Sequence, residues 1–176
     1  MSILKVNTIQ DRGGNAIISS DGSGNLTQTF ASNTPAFFAK MSADQTVVSD
    51  TNTVVAFNTE VYDTDSAYDT SAYKFTVPSG KAGKYIFTFT IGYTNPANNT
   101  SLRYQFMFFK NGSLEDFSGD WAQSGNSSAD PTWNFTTQMN LSVGDYVQAV
   151  VSQNRTEDEV LTAAYGRFYG YKLIGV

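Results

Sequence analysis

Three acids spaced as Asp63-x-Asp65-x-x-x-Asp69 come nearest in this chain to a metal-binding loop. Hard cations prefer several carboxylate oxygens, so calcium is the one ion such a loop could take. The helical calcium loop needs an acid or Asn at its fifth position, Gly at its sixth and Glu at its last. Ala67, Tyr68 and Lys74 stand there instead, so a solvated acidic loop is expected and no metal site is assigned. A second set of acids comprises Glu115, Asp116, Asp120, Asp130 and the run Glu157-Asp158-Glu159. Glycoside hydrolysis needs two carboxyl groups of different pKa facing one cleft. Nothing in the spacing brings two of these acids together on neighbouring strands, and the run beside Arg155 reads as a solvated polar loop. Trp121, amid Gly119, Asp120 and Ser124, is better suited to offering an exposed indole face, which stacks well on a sugar ring. Trp121, Asp116 and Asp120 are therefore the candidate ligand-binding loop, whereas Trp133 opens an alternating run with Phe135 and suits core or interface.

The chain has 176 residues and neither cysteine nor histidine. Disulfides, thiol nucleophiles, Ser–His couples and imidazole-bound zinc are closed to it, and no catalytic residue is assigned. Formal net charge is −5 without a basic run, so nucleic acid is not an expected partner. The apolar stretches near the N-terminus are short and no later one could span a bilayer. A protein made in the cytoplasm without a Sec-type signal or membrane insertion is expected.

Any such site must be positioned by strands. Aromatics make up 14% of residues and charged residues only 15%, a balance that suits pleated, half-buried surfaces. The chain divides near residue 33. In the first part, Ile3, Leu4, Val6 and Ile9, then Ile17 and Ile18, flank Gly13-Gly14 in a hairpin pattern. A segment this thin cannot bury a core of its own and must pack on a partner, a sister copy or the remainder. From residue 34 strand-length runs recur: Ala36–Met41, Thr53–Phe57, Tyr73–Val77, Lys84–Tyr93, Leu102–Lys110, Trp133–Leu141, Asp145–Ser152 and Tyr165–Ile174. Period two is explicit in Tyr85, Phe87, Phe89, Ile91 and Tyr93, and in Tyr104, Phe106 and Phe108. Turn signals separate the runs, among them Asn111-Gly112 and Val143-Gly144-Asp145. The pattern predicts an all-β, two-sheet sandwich of jelly-roll type, with long loops at Asp63–Asp69 and Ser113–Thr132 and no fixed-period repeat.

The residues of the second part resemble the C1q globular family, which shares its jelly roll with the tumour necrosis factors. Phe57-Asn58, Tyr62-Asp63 and Tyr73-Lys74-Phe75-Thr76-Val77-Pro78 occur in the family's order. Gly83-Lys84-Tyr85-Ile86-Phe87 is similar to its Gly-x-Tyr-x-Phe strand, and Leu141-Ser142-Val143-Gly144-Asp145-Tyr146-Val147 to its Leu-x-x-Gly-Asp-x-Val turn. Phe168-Tyr169-Gly170-Tyr171-Lys172-Leu173 resembles its last strand. The likeness covers residues 36–176, departing in the long 75–83 spacing, the 113–132 insertion and the lack of Cys. It implies a homotrimer. Aromatics exceed what one sandwich needs, so members of the set Tyr93, Tyr104, Phe106, Tyr169 and Tyr171 are expected at the subunit interface, with ordinary sandwich core as the alternative for any single one.

The first part, with Leu4-Lys5-Val6-Asn7-Thr8-Ile9-Gln10-Asp11, Gly14-Asn15 and Ser20-Asp21-Gly22, resembles the starts of bacteriophage tail-fibre and head-fibre proteins. That likeness implies a virion attachment segment over 1–33, gripping other virion proteins through Ile3, Leu4, Val6, Ile9, Ile17 and Ile18. The jelly-roll head over 34–176 would then form a tail fibre or knob that meets host surface polysaccharide or protein. A capsid decoration or head fibre, a soluble bacterial binding module, and a segment that merely adds a first strand to the head are the alternatives.

Overall fold

A computed structural model describes residues 6–28, 33–93, 102–123, 131–154 and 158–174. The chain divides into two compact units, Met1–Asn33 and Thr34–Val176. In the first, β1 (Thr8–Gln10), β2 (Ala16–Ser20) and β3 (Leu26–Gln28) form an antiparallel sheet in that order. Two turns of one design connect them. Asp11 Oδ1 accepts the backbone N–H groups of Gly13 (2.8 Å) and Asn15 (2.9 Å), and Asn15 Nδ2 donates back to Asp11 Oδ2 (3.0 Å). Asp21 repeats this with Ser23 (2.7 Å) and Asn25 (3.2 Å), and Asn25 Nδ2 returns to Asp21 Oδ2 at 2.6 Å. Asp-x-x-Gly-Asn thus serves both connections as an Asx-type turn. The Asn side chains chiefly hold both carboxyls below their usual pKa.

Every regular element described in the second unit is a strand. They run β4 (Ala36–Lys40), β5 (Gln45–Val47), β6 (Thr53–Val54), β7 (Thr59–Asp63), β8 (Tyr68–Asp69), β9 (Lys74–Thr76) and β10 (Gly83–Gly92). After these come β11 (Leu102–Lys110), β12 (Ser113–Gln123), β13 (Thr132–Leu141), β14 (Tyr146–Gln153), β15 (Glu159–Leu161) and β16 (Arg167–Lys172). One antiparallel sheet has the order β13-β10-β16-β4-β7; the other reads β12-β11-β14-β9-β8, with β6 beside β14. β15 and β5 form a separate ribbon. The two large sheets make the expected sandwich.

The Ser113–Thr132 stretch, expected to be a loop, instead begins with the longest strand of the fold. Asn111 (φ 52°) and Gly112 (φ 78°) both take left-handed conformations, the geometry of a two-residue hairpin turn that sends β12 back along β11. Polar residues mask the strand because it is an edge strand with one partner. The Asp63–Asp69 stretch is likewise no long loop; it carries the chain from β7 in one sheet to β8 in the other.

Alternation delivers the core. Tyr85, Phe87, Phe89, Ile91 and Tyr93 of one sheet face Tyr104, Phe106 and Phe108 of the other, all fully buried. Phe37 stacks on Tyr68 at 4.7 Å and meets Phe168 edge-on at 5.0 Å, while Phe106 stacks on Phe135 at 4.3 Å. Such pairs add about 0.5–1.5 kcal/mol each beyond the area they bury. Gly170 is required by this packing: a Cβ there would lie 2.5 Å from Phe87 Cδ1 and 2.8 Å from the Ile86 carbonyl oxygen.

Asp145 ties the Asn111-Gly112 turn to the turn before β14. Its carboxylate accepts from Asn111 Nδ2 (2.8 Å) and the Ser142 N–H (2.9 Å), and pairs with Lys110 Nζ at 3.2 Å. The Asn111 bond, then Ser142 and Lys110, hold its pKa below the usual 3.8. A depressed carboxyl pKa gives stability that is complete above the unfolded value and is lost as pH falls through the folded one. Thermal stability is therefore expected to decline below about pH 4, and Asp145→Asn should flatten that part of the melting-temperature profile.

Candidate functional site

The outward face of the β13-β10-β16-β4-β7 sheet carries an aromatic row. Backbone register sets Thr136, Thr88, Tyr169, Phe38 and Tyr62 side by side across all five strands. Phe38 meets Tyr169 edge-on at 6.0 Å and Tyr62 at 6.1 Å. Tyr62 is 49% exposed, and Phe38 and Tyr169 are half-buried. Ile86, Tyr171 and Ala36 form the neighbouring row on one side. Thr90, Arg167 and Lys40 form the row on the other, with Lys40 Nζ 5.3 Å from the Phe38 ring centre. Thr88 and Thr136 share a hydroxyl hydrogen bond of 2.8 Å. These three rows contain no acid, although the chain's net charge is −5. Like surfaces can therefore meet here without carboxylates opposing one another.

Several of the acids considered for chemistry serve the structure. Asp63 accepts the N–H groups of Asp65 (3.2 Å) and Tyr68 (2.7 Å), Asp65 pairs with Lys81 Nζ (3.3 Å), and Asp69 accepts the N–H groups of Ser71 (2.8 Å) and Ala72 (3.0 Å). Among the described residues no three His, Cys, Asp or Glu side chains gather to hold a metal ion. Asp116 lies opposite Phe108 on β12, and its Oδ2 accepts from Ser118 Oγ at 3.3 Å. Asp130 and Glu157 lie outside the described residues. Glu159 departs from the solvated-loop expectation: it is 3% exposed on β15, opposite Val47.

A model of the C1q domain matches residues 36–156. The chain belongs to the C1q domain family. Solved structures similar to it include the globular domain of zebrafish complement 1qA protein, 16% identical over 79% of this chain and 97% of that one, with a TM-score of 0.55. Murine APRIL is 12% identical over 78% of this chain and 98% of its own, with a TM-score of 0.54. At such identities the likeness carries the fold alone. Comparison with curated proteins finds no match.

In this C1q domain the expected interface set divides by strand phase. Tyr93, Tyr104 and Phe106 are fully buried inside a single copy and cannot present a surface to another. Tyr93 continues the inward phase of Tyr85–Ile91, so its place was implicit in the alternation. Tyr169 and Tyr171 lie on the outward face. Phe38 and Tyr62 were missed, although Phe37-Phe38 signals one ring inward and its neighbour outward. On β12, Asp120 stands opposite Gln105, and Trp121 stands opposite core-facing Tyr104 rather than in a loop.

In the N-terminal unit, Ile3 and Leu4 lie outside the described residues, and Ile17 and Ile18 are half-buried. Val6 (52% exposed), Ile9 (49%) and Leu26 (71%) join Ile18 around a shallow hollow of about 140 Å³.

Proposed function

We propose that this chain is a non-enzymatic binding protein that works as a homotrimer, with the aromatic row Tyr169–Phe38–Tyr62 as its self-association face. The observation that carries this is the exposure of that acid-free row on a sheet whose other face is already sealed in the core. Aromatic residues with few charges characterise the centre of subunit interfaces. The family likeness supports the same reading, and ties it to binding rather than catalysis.

The trimer is placed on a bacteriophage particle as a tail fibre or knob that contacts the host surface. The N-terminal motif around Val6-Asn7-Thr8-Ile9 supports this placement, and the apolar hollow of Val6, Ile9, Ile18 and Leu26 supplies a gripping surface for another virion protein. Three heads on one anchor also convert weak single contacts into avidity where receptor spacing allows.

The experiment is incorporation into particles. The V6S/I9S double variant should still form trimers of unchanged thermal stability but be missing from purified virions. Undiminished incorporation would overturn the anchor, and failure of the unaltered chain to join any particle would overturn the virion placement.

A further inference from the structure

We propose that the head carries a binding site for a neutral sugar unit where β11 and β14 meet the 50–52 segment. A cavity of about 260 Å³ opens there, lined by Asp50, Asn52, Arg103, Gln105, Ser152 and Asn154 among others. The site follows from the topology. β6 pairs Thr53 with Val151, so the preceding segment is delivered beside the end of β14, and the Asp50 N–H donates to the Gln153 carbonyl at 2.7 Å. Asp50 itself is held at φ 52°, a conformation Asp tolerates better than most residues.

The polar groups of the cavity are fixed but not used up. Gln105 Oε1 accepts from Ser152 Oγ at 3.0 Å, and Asn154 Oδ1 accepts the Arg103 N–H at 2.8 Å. Each bond orients one end of an amide and leaves its NH₂ group without a hydrogen bond among the described residues. The Asp50 carboxylate and the Asn52 amide likewise make no side-chain hydrogen bond among the described residues. Two amides held at their oxygen ends, one further amide and one carboxylate therefore line one hollow.

That set matches hydroxyl groups, each of which donates once and accepts twice. It matches ions poorly. One carboxylate is too few for a hard cation. A strong anion would meet Asp50. A hydroxyl-rich neutral ring of monosaccharide size remains. This site depends neither on the virion placement nor on the self-association face.

The test uses the full chain and free glucose, galactose, mannose and N-acetylglucosamine, with sialic acid as the anionic comparison, followed by saturation-transfer NMR and calorimetric titration. At least one neutral sugar should bind in the millimolar range, and Gln105→Ala should weaken it roughly tenfold, the loss of one or two hydrogen bonds. Asn52→Ala, in an exposed segment where folding is not at stake, should weaken it in the same direction, whereas Leu114→Ala should not. Binding by none of the four, preference for sialic acid, or unchanged affinity in both cavity variants would overturn the assignment. Solution mass, read on the same samples, reports separately on the trimer.

Discussion

Replacing Tyr169 by aspartate is expected to reduce the mass of the protein in solution from three times its 19.2 kDa chain mass to that mass alone. The ring lies mid-row between Thr88 and Phe38, on the outward side of the sheet's central strand. Loss of an interface aromatic costs about 2 kcal/mol or more at a hot spot, and three copies would each bring a carboxylate to a row that now has none. Phe38→Asp should act in the same way. Both positions are only half-buried within one copy, so the heads should remain folded, with unchanged strand content by circular dichroism. Leu114→Asp, on exposed β12 of the other sheet, should leave the mass unaltered. A trimer that survives both Tyr169→Asp and Phe38→Asp would place the interface elsewhere.

Phe168→Ala should be the most damaging single truncation, at about 3–5 kcal/mol. Phe168 is fully buried and packs against Phe37, Phe57, Tyr68, Phe87 and Phe108, which come from both sheets and the segment joining them. Few of these neighbours can follow the lost ring, because Phe37 is itself stacked against Tyr68 and Phe75. Chemical denaturation of the variant should show a much lower midpoint. A loss below about 1 kcal/mol would mean that the rings collapse into the space, contrary to the close packing inferred.

Where strands are buried on one face, the sequence spells them out. β10 and β11 fall within a residue of the runs expected from their alternating rings, and β11 coincides with Leu102–Lys110. Short or peripheral strands were hidden. β5, β8 and β15 have two or three residues, too few to display a period; β7 is exposed along most of its length, and β12 has its apolar residues interleaved with Glu115, Asp116 and Asp120. Of the residues expected at a subunit interface, Tyr169 and Tyr171 lie on the outward face, whereas Tyr93, Tyr104 and Phe106 share the inward phase and are buried in the core. The polar cavity was not visible at all. Asp50 and Asn52 lie some fifty residues from Arg103 and Gln105 in the chain, and only the pairing of β6 with β14 brings them together.

The place of β16 bears on how the protein is made. It follows every other strand in the sequence yet lies in the middle of its sheet, between β10 and β4, which have no other route to each other. During synthesis the ribosome therefore releases β4 and β10 long before the element that joins them exists. Until then their inward rings lack the covering that Phe168 provides. Closure of this sheet waits on the synthesis of β16, and it depends on pairings between residues distant in the chain, which slow folding. A chain that stopped before Arg167 would hold two unjoined sheet fragments with bare edges, a product fit for aggregation or proteolysis.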